Sequence, residues 1–495
     1  MYLIGYDIGS SSIKAALVET ETGRTISVQQ FPEEEMEIIS HHSNWAEQDP
    51  ELWWQYVKKV TERLLEDTNI DVNNIQGIGI SYQMHGLVLV DENHDVLRPS
   101  IIWCDSRAVE IGNQAFIEIG EEKCLSHLLN SPGNFTASKL KWVRENEPEV
   151  YKKIHKILMP GDFIALRMTG KETTTVSGLS EGMFWDFKNE KVADFLLAHL
   201  GINPDLIPDI VDTFGDQGKL SEGSATYLGL KSGITIGYRA GDQPNNALSL
   251  NVFNPGEVAA TGGTSGVVYG VLDKAVIDKK MRVNSFAHVN HTTDKPRIGV
   301  LLCVNGAGIQ YSWMKQMMAE ESMTYPELEE MAASVEVGSD GLIVIPFGNG
   351  AERVLENKNP GAQILNLHFN LHKKAHFYRA ALEGIAFSYI YGMEVMNEMG
   401  LDVRVIKVGN DNLFQSEIFS TTIATVLNCE IQMLEATGAV GAAKAAGIGS
   451  GVYASTDEAF QTAEVVKVYQ ADADPDIYKS KYQNWKLELE KIINN

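Results

Sequence analysis

Two short stretches place a glycine beside small hydroxyl residues, where backbone and side chains could hold an anion together. The first reads Asp7-Ile8-Gly9-Ser10-Ser11-Ser12 and the second Thr261-Gly262-Gly263-Thr264-Ser265-Gly266, each followed by an apolar run. Such a turn between two strands can aim successive N–H groups and hydroxyls at one spot, which suits a phosphate oxygen. Either stretch alone also reads as an ordinary hairpin, because Gly and Ser are the default turn residues. The pair, separated by about half the chain, is what points to a polyphosphate held by two loops. Phosphoryl transfer also needs a metal-compensated phosphate chain and a base for the proton of the nucleophile. Asp7, at the end of the first apolar run, is a candidate to hold Mg²⁺ through water. Asp242, in the segment Arg239-Ala240-Gly241-Asp242-Gln243-Pro244-Asn245-Asn246, is read as lying in a polar loop and is the candidate base. No G-x-x-x-x-G-K-[ST] is present, and no G-x-G-x-x-G opens a helix after a strand, so neither P-loop nor Rossmann signature applies.

The elements that must position these residues are legible in the apolar pattern. Tyr2 to Asp7, Ile13 to Val18 and Arg24 to Phe31 read as three consecutive antiparallel strands, with Glu21-Thr22-Gly23 as the turn between the last two. Asp49-Pro50-Glu51 supplies a cap, a first-turn proline and an early acid for a helix that carries Leu52, Trp53, Tyr56, Val57, Val60 and Leu64. Ile75 to Ser81 reads as a strand, and Leu87 to Val90 is expected to pair with Val96-Leu97. Helices are expected over 136–145, 149–157, 309–318, 325–334, 373–399, 416–427 and 438–446, with 203–223 mainly connection and Val258 to Leu272 again β. Helices mixed with parallel and antiparallel strands give an α/β architecture.

Composition narrows the classes of partner. The 495 residues carry 41 Lys and Arg against 66 Asp and Glu, a net charge of −25 with no basic block, which argues against nucleic acid and anionic membranes as partners. Length alone gives roughly three domains, and the paired loops revise this to two, expected over 1–249 and 250–495. Cys104, Cys124, Cys303 and Cys429 stand singly without a C-x-x-C pair, the usage of a reducing compartment. The first basic residue is Lys14, and no apolar run approaches the roughly 20 residues of a membrane span, so a cytoplasmic protein is expected. His368, His372 and His376 recur at four-residue spacing, but no acid or cysteine completes a ligand set, and His288 and His291 are equally unsupported. No H-E-x-x-H occurs, and Cys104 reads as buried.

Taken in order, Asp7-Ile8-Gly9-Ser10-Ser11, Gln83-Met84-His85-Gly86, Trp103-Cys104-Asp105-Ser106-Arg107, Gly241-Asp242-Gln243 and Gly262-Gly263-Thr264-Ser265-Gly266 resemble the FGGY carbohydrate kinases over nearly the whole chain. Within that family the Gln-Met-His-Gly segment, Ser43 to Pro50 and Leu166 to Gly170 look most like xylulokinases. The resemblance implies two actin-like, ribonuclease H-like domains flanking a deep catalytic cleft, with ATP and Mg²⁺ used to phosphorylate a sugar or polyol hydroxyl. It implies that the first domain binds sugar and carries the base, and that the second binds adenosine.

Position by position, the resemblance makes Asp7 the Mg-ATP aspartate and Asp242 the catalytic base. Gly9, Ser10, Ser11, Lys14, Gly263 and Thr264 would lie near the phosphates, and Gly409 and Asn410 beside the adenine, with helix residues after Ser416 as its wall. Met84, His85, Trp103, Asp105 and Gln243 would line the sugar. Two departures bear on the substrate. Gly241-Asp242-Gln243 looks more like glycerol kinases, which usually carry Arg-Glu where this chain has Met84-His85. The adenosine run here is Val408-Gly409-Asn410-Asp411-Asn412. The expected reaction is D-xylulose to D-xylulose 5-phosphate, with ribulose or glycerol as alternative acceptors. A non-catalytic actin-like nucleotide switch or sugar sensor is the alternative from another class, and a homodimer is allowed.

Overall fold

The computed structural model describes residues 1–462 and 464–494. They form two compact units. Unit 1 comprises Met1–Asn251, Phe286–Ile298 and Ala436–Ala463, and unit 2 comprises Val252–Ser285, Gly299–Glu435 and Glu464–Asn495. The chain thus changes units close to the boundary expected at 249, but two later segments return to unit 1.

Unit 1 is built on strands β1 (Tyr2–Ile8), β2 (Ile13–Glu19), β3 (Thr25–Phe31), β4 (Ile75–Tyr82) and β5 (Thr235–Gly241), in the order β5-β4-β1-β2-β3. The first three strands are antiparallel neighbours, as their short turns require, whereas β4 and β5 join parallel to β1. The helix Pro50–Thr68 makes the crossover to β4; Asp49 caps it by accepting the Glu51 N–H. Its face buries Trp53, Val57, Val60 and Leu64, and the Tyr6 hydroxyl meets Thr61 at 2.7 Å. The helix Gly438–Gly449 packs chiefly on β1, β4 and β5. There the backbones approach so closely that a Cβ on Gly5 would lie 1.9 Å from the Ala439 carbonyl oxygen, and one on Gly79 2.0 Å from that of Ala442. Only glycine admits this packing.

Unit 2 repeats the plan. Strands β6 (Glu257–Gly262), β7 (Gly266–Leu272), β8 (Asn284–Ala287), β9 (Ile298–Val304), β10 (Val405–Gly409), β11 (Glu430–Leu434) and β12 (Val465–Tyr469) lie in the order β8-β9-β7-β6-β10-β11-β12. The hairpin β6-β7 is antiparallel and β10 and β11 add in parallel, so β9-β7-β6-β10-β11 has the strand order of β3-β2-β1-β4-β5. The two glycine loops therefore occupy the same place in two similar sheets.

Three local expectations need correction. The helix expected over 149–157 is a single turn, Pro148–Tyr151, followed by the strand Lys156–Leu158. That strand pairs antiparallel with Val88–Val90, so tertiary pairing overrides the local helical pattern. The pairing expected with Val96-Leu97 is also present, Val96 bridging Val90 antiparallel and the Leu97 N–H donating to the Leu89 carbonyl at 2.9 Å. Asp242 lies in no loop: β5 runs directly into the helix Asp242–Ser249, of which it is the first residue. The helix Lys374–Glu398 begins after His368 and His372, so only His376 of that trio is helical, and it meets Asp340 at 3.1 Å. Among the described residues no helix is long and apolar enough to cross a membrane.

Candidate functional site

In unit 1 the parallel strands β1, β4 and β5 bring three chain ends to one edge. Asp7 sits in register with Lys14 on β2 and Ser81 on β4. The Gly9 N–H closes the turn by donating to the Ser12 carbonyl at 3.2 Å, and the Ser10 carbonyl accepts from Gln48 at 2.7 Å. Ser11 and Lys14 are exposed beside it. Burial pushes the Asp7 carboxyl above its ordinary value, and the Ser81 hydroxyl and Lys14 charge oppose the shift. A Cβ on Gly438 would stand 2.7 Å from Asp7 Oδ2, so the absence of a side chain there leaves the carboxylate its space.

The Asp242 carboxyl is half-buried, and its desolvation, reinforced by the negative charge of Asp7, pushes it up to about 7. The Gln243 N–H and side-chain amide, bonded to Asp242, partly offset this. Gln243, expected at the sugar, thus also touches the base. Asn245, on the same helix, donates to the Gly438 carbonyl at 3.0 Å.

Met84 is buried with its side chain against Gly241. His85 adopts a left-handed backbone, φ 62°, uncommon for a residue with a side chain. Its Nδ1 lies 3.0 Å from the Glu181 carbonyl oxygen. A carbonyl only accepts, so Nδ1 carries the proton. The ring packs edge-on against Phe135 at 4.8 Å and tilted against Phe286 at 5.5 Å. Trp103 is 54% exposed and its indole N–H donates to Ser10 Oγ at 3.2 Å, tying this segment to the first glycine loop.

Asp105 departs from expectation. Its carboxylate is fully buried, accepts the Ala46 N–H at 2.6 Å and holds the Arg107 guanidinium, itself packed over Trp45 at 3.9 Å. With its oxygens engaged by the protein, Asp105 braces the Trp103 segment rather than offering a carboxylate to a sugar.

Pattern reading missed Phe135, Phe286 and Glu181. The Glu181 carboxyl is buried, and burial together with the charges of Asp242 and Asp162 holds it well above the usual carboxylate range. It lies in a Gly- and Ser-rich stretch, Ser177 to Gly182, with no spacing that marks it. The same helix, Val176–Glu181, reaches Ala287 through Ser177 and Ser180 and so fixes the strand end that carries Phe286.

Unit 2 contains a cavity of about 610 Å³. Gly263 and Thr264 line it, with their carbonyls receiving the N–H groups of Gly308 and Ile309 at 2.9 and 3.1 Å. Tyr311 and Tyr325 stack at 5.8 Å on its wall. Gly409 and Asn410, expected at the adenine, are not among its lining residues: Gly409 ends β10, and the Asn410 side chain bonds Glu435. The lining begins with Asp411 and Asn412 and reaches Ser416, where the helix Glu417–Leu427 starts. Among the described residues no group of three or more His, Cys, Asp or Glu could hold a metal ion unaided.

Residues 2–249 match the N-terminal domain and residues 258–450 the C-terminal domain of the FGGY family of carbohydrate kinases. The chain belongs to this family. It is accordingly a carbohydrate kinase, and ATP is the phosphoryl donor of such enzymes. A xylulose kinase of Bacillus subtilis (strain 168) is 29% identical over 471 residues, covering 92% of this chain and 90% of that one. The crystal structure of xylulose kinase from Rhodospirillum rubrum has a TM-score of 0.89 at 24% identity, covering 99% of both chains. A glycerol kinase of Plasmodium falciparum with ADP scores 0.88 at 20% identity, covering 99% of this chain and 98% of that one. FGGY kinases named for different acceptors thus share this fold, so the fold alone leaves the acceptor open.

Proposed function

We propose that this chain transfers the γ-phosphoryl group of ATP to a hydroxyl of D-xylulose, giving D-xylulose 5-phosphate. The observation that carries the reading is the Asp242 carboxyl, held near 7 beside Asp7 and next to Met84 and the ring cluster of His85, Phe135 and Phe286. Asp242 accepts the proton of the attacking hydroxyl. The sugar oxygen bonds to the γ-phosphorus, the bond to the β,γ-bridging oxygen breaks, and ADP leaves with that electron pair. A base with a pKa near the working pH combines ionised population with proton-transfer driving force. The bond from His85 Nδ1 to the Glu181 carbonyl fixes the orientation of the ring beside the sugar. The two phenylalanine rings suit the C–H face of a sugar, and Trp103 and Gln243 border it.

Within unit 1 the base and sugar groups stand with Gly9, Ser10, Ser11 and Lys14 as the phosphate loop; within unit 2, Gly263 and Thr264 line the cavity read as that of the nucleotide. The residues fit Mg²⁺. The charge of Asp7 disfavours that of Asp242, and a cation held there would relieve this. Asp7 would hold it through water, and the ion would neutralise charge on the phosphates.

The name of the Bacillus subtilis relative supports xylulose. A coupled assay of ADP release with D-xylulose, D-ribulose, glycerol and gluconate tests the reading. The highest kcat/KM is expected for D-xylulose. A preference for another acceptor would remove the sugar assignment, and sugar binding without turnover of any acceptor would remove the catalytic one.

A further inference from the structure

The helix Thr136–Asn146 carries a lysine that faces inward. Lys139 is fully buried, and its ammonium donates to the His85 carbonyl at 3.0 Å and to the Ile102 carbonyl at 2.9 Å. These carbonyls belong to two segments distant in sequence, one carrying Met84-His85 and the other leading into Trp103. The start of the same helix makes further ties to both. Phe135 meets the His85 ring, Asn134 donates to the Asp105 carbonyl, and the Ala137 N–H donates to the Gly182 carbonyl at 3.0 Å. His85 needs such restraint because its left-handed backbone is unfavourable for a side-chain-bearing residue.

We propose that Lys139 is a positioning residue for the sugar, its buried ammonium pinning the turn at His85 to the segment before Trp103 so that both side chains meet the acceptor in one geometry. The inference rests on assigning those segments to the sugar. An isolated buried ammonium is expensive, and two carbonyl oxygens are a modest compensation. Burial accordingly pulls Lys139 down to about 8, against the opposing charge of Asp105. The other titratable groups that face it are Cys104 and Glu181, which favour the ammonium, and Arg107, which disfavours it. The pin is therefore intact below pH 8 and is lost as pH rises above it, when the neutral amine can no longer hold both carbonyls firmly.

Two measurements test this with D-xylulose as the probe, beginning from a parent enzyme that turns it over. Absence of turnover in the parent would overturn the sugar assignment itself, a failure distinct from that of the pin. In Lys139→Met the KM for D-xylulose is expected to rise at least tenfold while the KM for ATP stays within twofold. An unchanged sugar KM, or an equal rise in both constants, in a folded variant overturns the proposal. If the variant does not fold, the parent decides: its sugar KM is expected to rise about tenfold between pH 7.5 and pH 9.5 at constant ATP KM. A sugar KM that is flat across that range, or that moves together with the ATP KM, overturns it.

Discussion

Replacing Asp242 by asparagine should make the protein a worse catalyst and a more stable one. The side chain keeps its size and loses its charge. Burial and the Asp7 charge raise the carboxyl from 3.8 to about 7, so ionising it in the folded protein is unfavourable compared with the unfolded chain. Each tenfold weakening of an acid corresponds to about 1.4 kcal/mol; allowing for the partly open surface of the side chain, the burden is on the order of 3 kcal/mol. Its sign follows from the raised value. The burden is absent below pH 4, where both states are protonated, grows between pH 4 and 7, and is complete above pH 7. Thermal unfolding of parent and Asp242→Asn in metal-free buffer should therefore coincide near pH 4, with the variant melting several degrees higher at pH 8. The same variant should lose about 10²- to 10⁴-fold in kcat, the usual contribution of a general base. In the parent, kcat/KM should rise about tenfold from pH 6 to pH 8, as the ionised fraction of a group near 7 does. Equal stability at pH 8, or near-parental turnover by the variant, would refute the reasoning.

Glu181→Gln replaces a carboxyl whose ionisation burial disfavours with an amide of the same shape, so its melting temperature at pH 7 should be no lower than the parent's, whereas Glu181→Lys, which buries a charge beneath Gly241, should fail to accumulate as folded protein. Gly438→Ala puts a methyl group 2.7 Å from Asp7 Oδ2 and should raise the Mg²⁺ concentration needed for half-maximal activity severalfold while leaving the sugar KM unchanged. Tyr325→Ala removes one ring of the stacked pair in the unit 2 cavity and should raise the KM for ATP by about 3- to 10-fold, matching the roughly 0.5–1.5 kcal/mol of such a pair, with the sugar KM again unmoved.

How far the site is legible in the sequence depends on how local each signal is. The hairpin loops at Gly9 and Gly263, the capped helix after Asp49 and the strand pattern around them depend on neighbours a few residues away, and the structure has them as expected. Lys156–Leu158 reads locally as helix but folds as strand, because its partner strand lies almost seventy residues earlier in the chain. Gly409 and Asn410 fall short of the cavity they are expected to line because the chain turns at the end of β10 and presents Asp411 and its successors instead.

The sequence by itself determined the family, the α/β class and the paired loops, since these reside in motif, order and hydrophobic period. It also named Asp7 and Asp242, but as candidates without an environment. Only the tertiary structure decided their electrostatics, because a carboxyl is moved to about 7 by desolvation and by another carboxyl 235 residues away in the chain, neither of which composition records. It likewise turned Asp105 from a candidate sugar contact into a brace, placed the buried Glu181 beside the base, and faced Lys139 toward two distant carbonyls. Such roles depend on what surrounds a side chain in space, and folding assembles those surroundings from segments that the sequence keeps far apart.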